Sequence, residues 1–267
     1  MKNSSGQLNI YSIPGFRLAA WFSVFLLYLP IIILVWFSFN ENRLITIWTR
    51  FSLDWYIHAF ANYSIQRALY NSLIVAFTAM LVSTLLATMA ALVTVHCKYF
   101  RGRTAVEFLF GLPLVVPEMI TAISSLAFFT LIGLRLGLLN VILTHIVFCF
   151  PFAYYPICAR LAGIDRSFSE VAQDLYATDW KEFWYVTFPL LKSGITAGAM
   201  LAFIVSLDDF IITSFVASPG STTLPVYIYG MIAKGITPEI NAISSVLLLL
   251  SILFVGASTF LTQGSKV

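Results

Sequence analysis

Charge is what this chain has least of. Only 10% of its 267 residues are Asp, Glu, Lys or Arg, against 60% hydrophobic, a balance that excludes an ordinary soluble domain. The positive surplus is only three charges and no basic run has phosphate-tracking spacing, so no nucleic-acid partner is expected. Cysteine is almost missing: Cys97, Cys149 and Cys158 lack the paired spacing of a zinc site or a disulfide framework. His58, His96 and His145 make no ligand pair, and no Ser/His/Asp grouping stands out at one depth, so neither a metal site nor a catalytic residue is expected. A "GxxxxGK[ST]" phosphate loop is absent as well, so the chain does not hydrolyse ATP by that route.

What is present is apolar length. A spanning helix needs about 20 apolar residues, and six stretches qualify: 18–39, 68–95, 105–132, 136–160, 195–217 and 242–261. The first follows Lys2 and Arg17, is too long for a signal-peptide core and lacks a small-residue cleavage site, so it is expected to stay as a helix. The expectation is an all-α polytopic membrane protein: a short N-terminal segment 1–17, then one six-helix domain 18–267. Six spans put both termini on one side. Lys2, Arg17, Lys98, Arg101, Arg103, Arg160, Arg166, Lys181, Lys192 and Lys266 then share that side, against Arg43, Arg50, Arg67, Arg135 and Lys234. Short basic loops such as "HCKYFRGRT" stay cytoplasmic, so both termini are expected inside.

Two places hold acids where apolar residues dominate. Pro113 and Pro117 in "GLPLVVPEMI" predict a kinked or broken third span with Glu118 at the break. The fifth span carries Asp208 and Asp209 in "FIVSLDDFIITSF". Each carboxylate at a helix centre costs about 2.5 to 3.5 kcal/mol on insertion scales, so neither is expected to face lipid. Adjacent helical residues point about 100° apart. Asp209 shares a stripe with Ala202, Ser206 and Thr213, which suits a pathway; Asp208 suits a helix contact or another chain. Glu118 shares a stripe with Thr121, Ala122, Ser125 and Phe129, so Glu118, Thr121 and Ser125 join the candidate pathway. Each acid also has a bland reading, as a cap or a backbone partner.

The longest polar segment, about 163–194, lies between the fourth and fifth spans, on the side of the termini. Ser167 with Glu170, and Asp179 with Glu182, are spaced as capping boxes, predicting two short helices, the second stopped by Pro189. Trp180, Phe183 and Trp184 suit an interfacial anchor; Glu170, Asp174 and Asp179 suit a soluble partner.

This segment resembles the cytoplasmic loop signature of permease subunits of ATP-binding-cassette importers, through Glu170-Val171-Ala172, Tyr176-Ala177, Phe188-Pro189 and Ser193-Gly194. Tyr176 stands where the family usually has glycine. The stretches "SLDDFIITSFVASPGSTTLPVYIYGMI", "GITPEINA" and "PLVVPEMITAIS", with Asp54-Trp55-Tyr56, are similar to the spermidine/putrescine branch, and the likeness runs from about Leu18 to the end. The resemblance implies a type I permease fold in the bacterial inner membrane that moves a polyamine inward by alternating access. It also implies a second permease subunit as heterodimer partner, two ATP-binding subunits that hold ATP and Mg, and a periplasmic polyamine-binding protein. Glu170, Ala172, Asp174, Ala177, Pro189 and Gly194 would contact the ATPase, and Glu118 a substrate amine. The competing expectation is an ion-coupled secondary transporter of small cationic solutes using the same acids, although no internal repeat of the kind common in such carriers is visible.

Overall fold

A computed structural model describes residues 15–42, 47–96, 101–165, 167–235 and 237–263, with side chains at 96 and 257–263 left aside. Lys2, Arg43, Cys97, Lys98, Arg166 and Lys266 lie outside the described residues. The described chain is helical, with one isolated bridge between Asn40 and Phe51. The helices are α1 (Phe16–Ser38), α2 (Asp54–Ala61), α3 (Tyr63–His96), α4 (Arg103–Val115), α5 (Glu118–Leu131), α6 (Leu138–Ala162), α7 (Ser167–Asp174), α8 (Asp179–Glu182), α9 (Phe188–Asp208), α10 (Ile211–Val216), α11 (Leu224–Lys234) and α12 (Pro238–Gln263).

Two compact units divide it: 1–61 with 231–247, and 62–230 with 248–267. In the first, Ser38 is the one buried residue of α1, whose Trp21, Phe22, Leu27 and Trp36 are all exposed. The loop after α1 is tied by side chains. Asn40 Nδ2 donates to the Ile47 carbonyl at 2.7 Å, Ser38 Oγ and Tyr56 Oη meet at 2.6 Å, and Trp36 packs on Trp48 with centroids 5.1 Å apart.

The second unit is built on α3, α6 and α9, each packed on the other two. Their contact faces are rich in small residues: Ala76, Ala79, Ala87 and Ala91 on α3, Ala153 on α6, and Gly194, Gly198 and Ala202 on α9 are all buried. Lipid tails are as apolar as leucine, so helices in a membrane gain by close backbone approach, which small side chains allow. A Cβ at Gly198 would lie 2.6 Å from the Ala153 carbonyl oxygen. The loop after α10 is pinned to α3: Asn71 Nδ2 donates to the Gly220 and Thr222 carbonyls at 3.0 Å, and Ser72 Oγ accepts from the Leu224 N–H at 2.7 Å.

Five helical stretches are long and apolar enough to cross a membrane: Phe16–Ser38, Tyr63–Val95, Leu138–Ala162, Asp179–Asp208 and Pro238–Gly256. The sixth element is broken as Pro113 and Pro117 predict, α4 and α5 meeting at 107°. At 13 and 14 residues, each half is about 20 Å long and too short to span alone.

The fifth span departs from its predicted limits of 195–217. The helix starts earlier and stops at Asp208, where Asp209 turns extended at ψ 125°. Pro189 does not stop it. A π-helical turn over Phe183–Thr187 joins α8 to α9, and Pro189 sits in the first turn of α9, where its missing N–H is tolerated.

Candidate functional site

The acids converge at the two breaks. Val116 is extended, as the residue before a proline tends to be, and Pro117 opens α5 with Glu118 in the first turn, where a carboxylate complements the helix dipole. Helix α5 packs on α10, which follows the second break. That contact brings the start of α5, with Glu118, close to the break that carries Asp209.

Asp209 is buried and its oxygens are occupied. Oδ1 accepts from the Ile212 N–H at 3.1 Å, and Oδ2 accepts from the Thr213 N–H at 2.9 Å and the Thr213 hydroxyl at 2.8 Å, closing the start of α10. His145 Nε2 of α6 lies 3.1 Å from Oδ2, with both side chains fully enclosed. His145 Nδ1 is 2.7 Å from Ser206 Oγ. Every group is satisfied if Nε2–H donates to Asp209 and Nδ1 accepts from the Ser206 hydroxyl.

The two neighbouring acids lie in different surroundings. The stripe of Ala202, Ser206, Asp209 and Thr213 does share a face, and all four are buried against protein. Asp208 is the exposed member. It also ends the 21-residue helix α9, about 30 Å long, rather than sitting at its centre. A Ser/His/Asp line does exist in Ser206, His145 and Asp209, contrary to the sequence expectation. All three side chains are enclosed by protein. No local pattern could reveal it, because His145 stands 61 residues before Ser206.

Thr121 and Ser125 line a cavity of about 580 Å³ between α5 and α6 with Phe128, Phe129 and Thr144. Glu118 is half-buried and lies outside its lining.

The polar segment forms an elbow. Its caps are not the predicted boxes. Asp165 Oδ1 accepts from the Ser167 N–H at 3.0 Å, and Thr178, rather than Asp179, caps α8 through the Lys181 N–H at 3.5 Å. Ser169 Oγ donates to Glu182, stapling α7 to α8. Glu170 and Asp174 are exposed, Ala172 is buried, and Ala177 lines a groove of about 560 Å³ with Phe168, Val171, Leu175 and Tyr185. Pro189 is exposed on α9. Gly194 lies inside the bundle, where a Cβ would come 2.5 Å from the Arg160 Cβ, so it serves the α6–α9 contact and not the elbow surface.

Helix α7 closes with a left-handed residue, Tyr176, at φ 58°. The Ala177 N–H donates to the Ala172 carbonyl at 3.0 Å and the Tyr176 N–H to the Gln173 carbonyl at 2.9 Å, the paired bonds of a Schellman motif. That slot normally takes glycine, and an L side chain there costs about 1 to 2 kcal/mol.

Hydrogen bonds from the Ser167 amide and hydroxyl hold the Asp165 carboxyl below its ordinary range. A carboxylate lowered in the folded state contributes stability above its unfolded pKa and loses it as pH falls through the folded value. We expect Asp165 to titrate below the ordinary aspartate value in a carbon-detected NMR titration, with the first turn of α7 fraying only under more acid conditions. A midpoint at or above the ordinary aspartate value would remove this cap.

The chain is similar to known proteins in sequence and in fold. The family model for "Binding-protein-dependent transport system inner membrane component" matches residues 83–264. The putrescine transport system permease protein PotI of Escherichia coli (strain K12) is 38% identical over 228 residues, 83% of this chain and 81% of that one. The spermidine/putrescine transport system permease protein PotC of Haemophilus influenzae (strain ATCC 51907 / DSM 11121 / KW20 / Rd) is 34% identical over 237 residues, 89% of this chain and 92% of that one. In fold, a chain of a bacterial alginate ABC transporter, solved with an alginate pentasaccharide-bound periplasmic protein, superposes with a TM-score of 0.70 at 19% identity, covering 94% of each chain.

Proposed function

We propose that this chain, which belongs to the family of binding-protein-dependent transport system inner membrane components, passes a polyamine inward across the membrane. It is a multi-pass permease subunit of an ABC importer and not itself an enzyme. The observation that carries the polyamine reading is that relatives at 38% and 34% identity, over most of this chain, both take putrescine or spermidine/putrescine as their named solute.

Acids and aromatic rings suit such a cargo. Spaced carboxylates answer spaced ammonium groups, and ring faces attract cations by about 0.5 to 2 kcal/mol each. Glu118 and Asp208 are the acids we assign to the amines, because Asp209 is committed to α10 and His145. Thr121, Ser125, Phe128 and Phe129 supply the neighbouring wall. An exposed Asp208 in the apolar part of the chain faces water or a second permease, since facing lipid would cost about 2.5 to 3.5 kcal/mol at mid-depth.

The remaining partners follow the family resemblance: a second permease, two ATP-binding subunits that hold ATP and Mg, and an external polyamine-binding protein. Both termini and the elbow face the cytoplasm in this reading. The elbow receives the ATPase through Glu170, Ala172, Asp174 and Ala177, with Pro189 behind them. Its continuity with α9 through the π-helical turn gives motor movement a stiff path to Asp208.

Uptake of labelled putrescine by proteoliposomes holding the full complex, with binding protein and ATP, tests this. Glu118→Gln and Asp208→Asn are each expected to lower uptake at least tenfold with assembly unchanged. Parental uptake in both would take these acids off the pathway. Failure of putrescine and spermidine to compete would overturn the polyamine reading. Uptake driven by an ion gradient without ATP would favour the ion-coupled carrier.

A further inference from the structure

The elbow holds one residue whose backbone and side chain are both unaccounted for by this chain alone. Tyr176 occupies the left-handed slot that closes α7, at φ 58°, and is 96% exposed. Its ring stacks on none of the described aromatic residues, although Trp180, Phe183, Trp184 and Phe188 nearby stack among themselves. A strained non-glycine backbone supporting a side chain that packs on nothing points to a function met elsewhere. Glycine would close the helix better.

The surroundings say what kind of surface meets it. Phe168, Val171, Leu175 and Tyr185 are exposed around the groove between α7 and α8, and Trp180 is exposed on α8. Among the described residues of 167–185 the charges are Glu170, Asp174, Asp179 and Glu182, against Lys181 alone. Binding to an anionic lipid surface needs the opposite sign, because amphipathic helices reach headgroups through Lys and Arg. Lys181 and Glu182 line the groove itself among apolar side chains, and a segment with this net negative charge instead matches a protein cleft with an apolar floor and basic edges.

We propose that Tyr176 is a peg that selects the soluble partner of the elbow, inserting into an apolar socket edged by lysine or arginine on that partner. This rests on the reading that the elbow receives the ATPase subunit, and it names the residue that discriminates among such subunits. Tyrosine is enriched among residues that dominate interface energy, since it brings large contact area with little rotamer freedom to lose. The left-handed slot thrusts it from a rigid cap rather than a slack loop.

The test measures the dissociation constant of the cognate ATPase subunit for the detergent-solubilised complex, with the parent chain, Tyr176→Phe, Tyr176→Gly and Ala177→Asp. Tyr176→Gly relaxes the backbone, so weaker binding by this variant cannot be blamed on a misfolded elbow. We expect Tyr176→Gly to weaken binding at least tenfold, Tyr176→Phe to stay within threefold, and Ala177→Asp to weaken it strongly. If Ala177→Asp weakens binding and Tyr176→Gly does not, the elbow docks without the peg and the proposal falls. If neither variant matters, the docking reading itself is overturned and the elbow lies elsewhere, against headgroups for example.

Discussion

Asp209→Ala is expected to lower the folding stability of this subunit by about 3 to 5 kcal/mol, the largest effect of any single acid removed. The carboxylate accepts from two backbone N–H groups and one hydroxyl at the start of α10, and His145 Nε2 lies 3.1 Å away. Alanine satisfies none of them, and all four groups stay enclosed. Individual side-chain hydrogen bonds in a membrane protein average only about 0.6 kcal/mol. Independent bonds would therefore sum to about 2 kcal/mol, and a loss beyond 3 kcal/mol would report the cost of a buried cluster left without its acceptor. Thermal unfolding of the purified complex in detergent reads this out. Asp208→Asn provides the contrast, because Asp208 is exposed and should leave the midpoint close to the parent's. Equal midpoints for the two variants would remove Asp209 from its structural role. Asp209→Asn should fall between them, since its amide oxygen can still accept from one N–H while its NH₂ faces the His145 donor.

Gly198→Leu is expected to separate α6 from α9. A Cβ at this position would stand 2.6 Å from the Ala153 carbonyl oxygen and 3.1 Å from its Cα, closer than real Cβ contacts come. The obstacle is backbone, which cannot rotate aside as a side chain does. Overpacking of a core costs about 1 to 3 kcal/mol and occasionally more, and a rigid obstacle puts this case at about 3 kcal/mol or above. Gly198→Ala should show a smaller part of the same loss. Gly230→Ala is the control, because a Cβ there meets nothing within 4 Å. The yield of monodisperse complex and its unfolding midpoint both measure the effect. A Gly198→Leu protein as stable as the Gly230→Ala protein would mean that the helices do not pack as closely as 2.6 Å requires.

Individual residues mark where sequence reasoning succeeded and where it stopped. Apolar length identified the spans, because crossing hydrocarbon is a demand on composition that each segment meets by itself. Pro113 and Pro117 announced the break before Glu118, since proline removes a donor wherever it stands. Pro189 misled for a related reason: a proline in the first turn of a helix loses nothing, and the π-helical turn before it carried the helix through. The capping pairs were near misses, with Asp165 and Thr178 doing the work expected of Ser167 and Asp179. Spacing offers several capping oxygens within one turn, and only backbone geometry chooses between them.

By itself, the sequence determined that this is a polytopic helical membrane protein with a polar segment between its fourth and fifth spans, one acid at a proline break and two more in the fifth span, because hydrophobic length, proline and charge act locally. Tertiary structure alone decided where each acid lies. Asp208 and Asp209 are neighbours of identical chemistry, yet one is exposed and the other is enclosed against His145. The difference arises because α6 brings an imidazole to one side of the break in α9 and α10, and a partner 64 residues away (209 − 145) leaves no trace in local spacing.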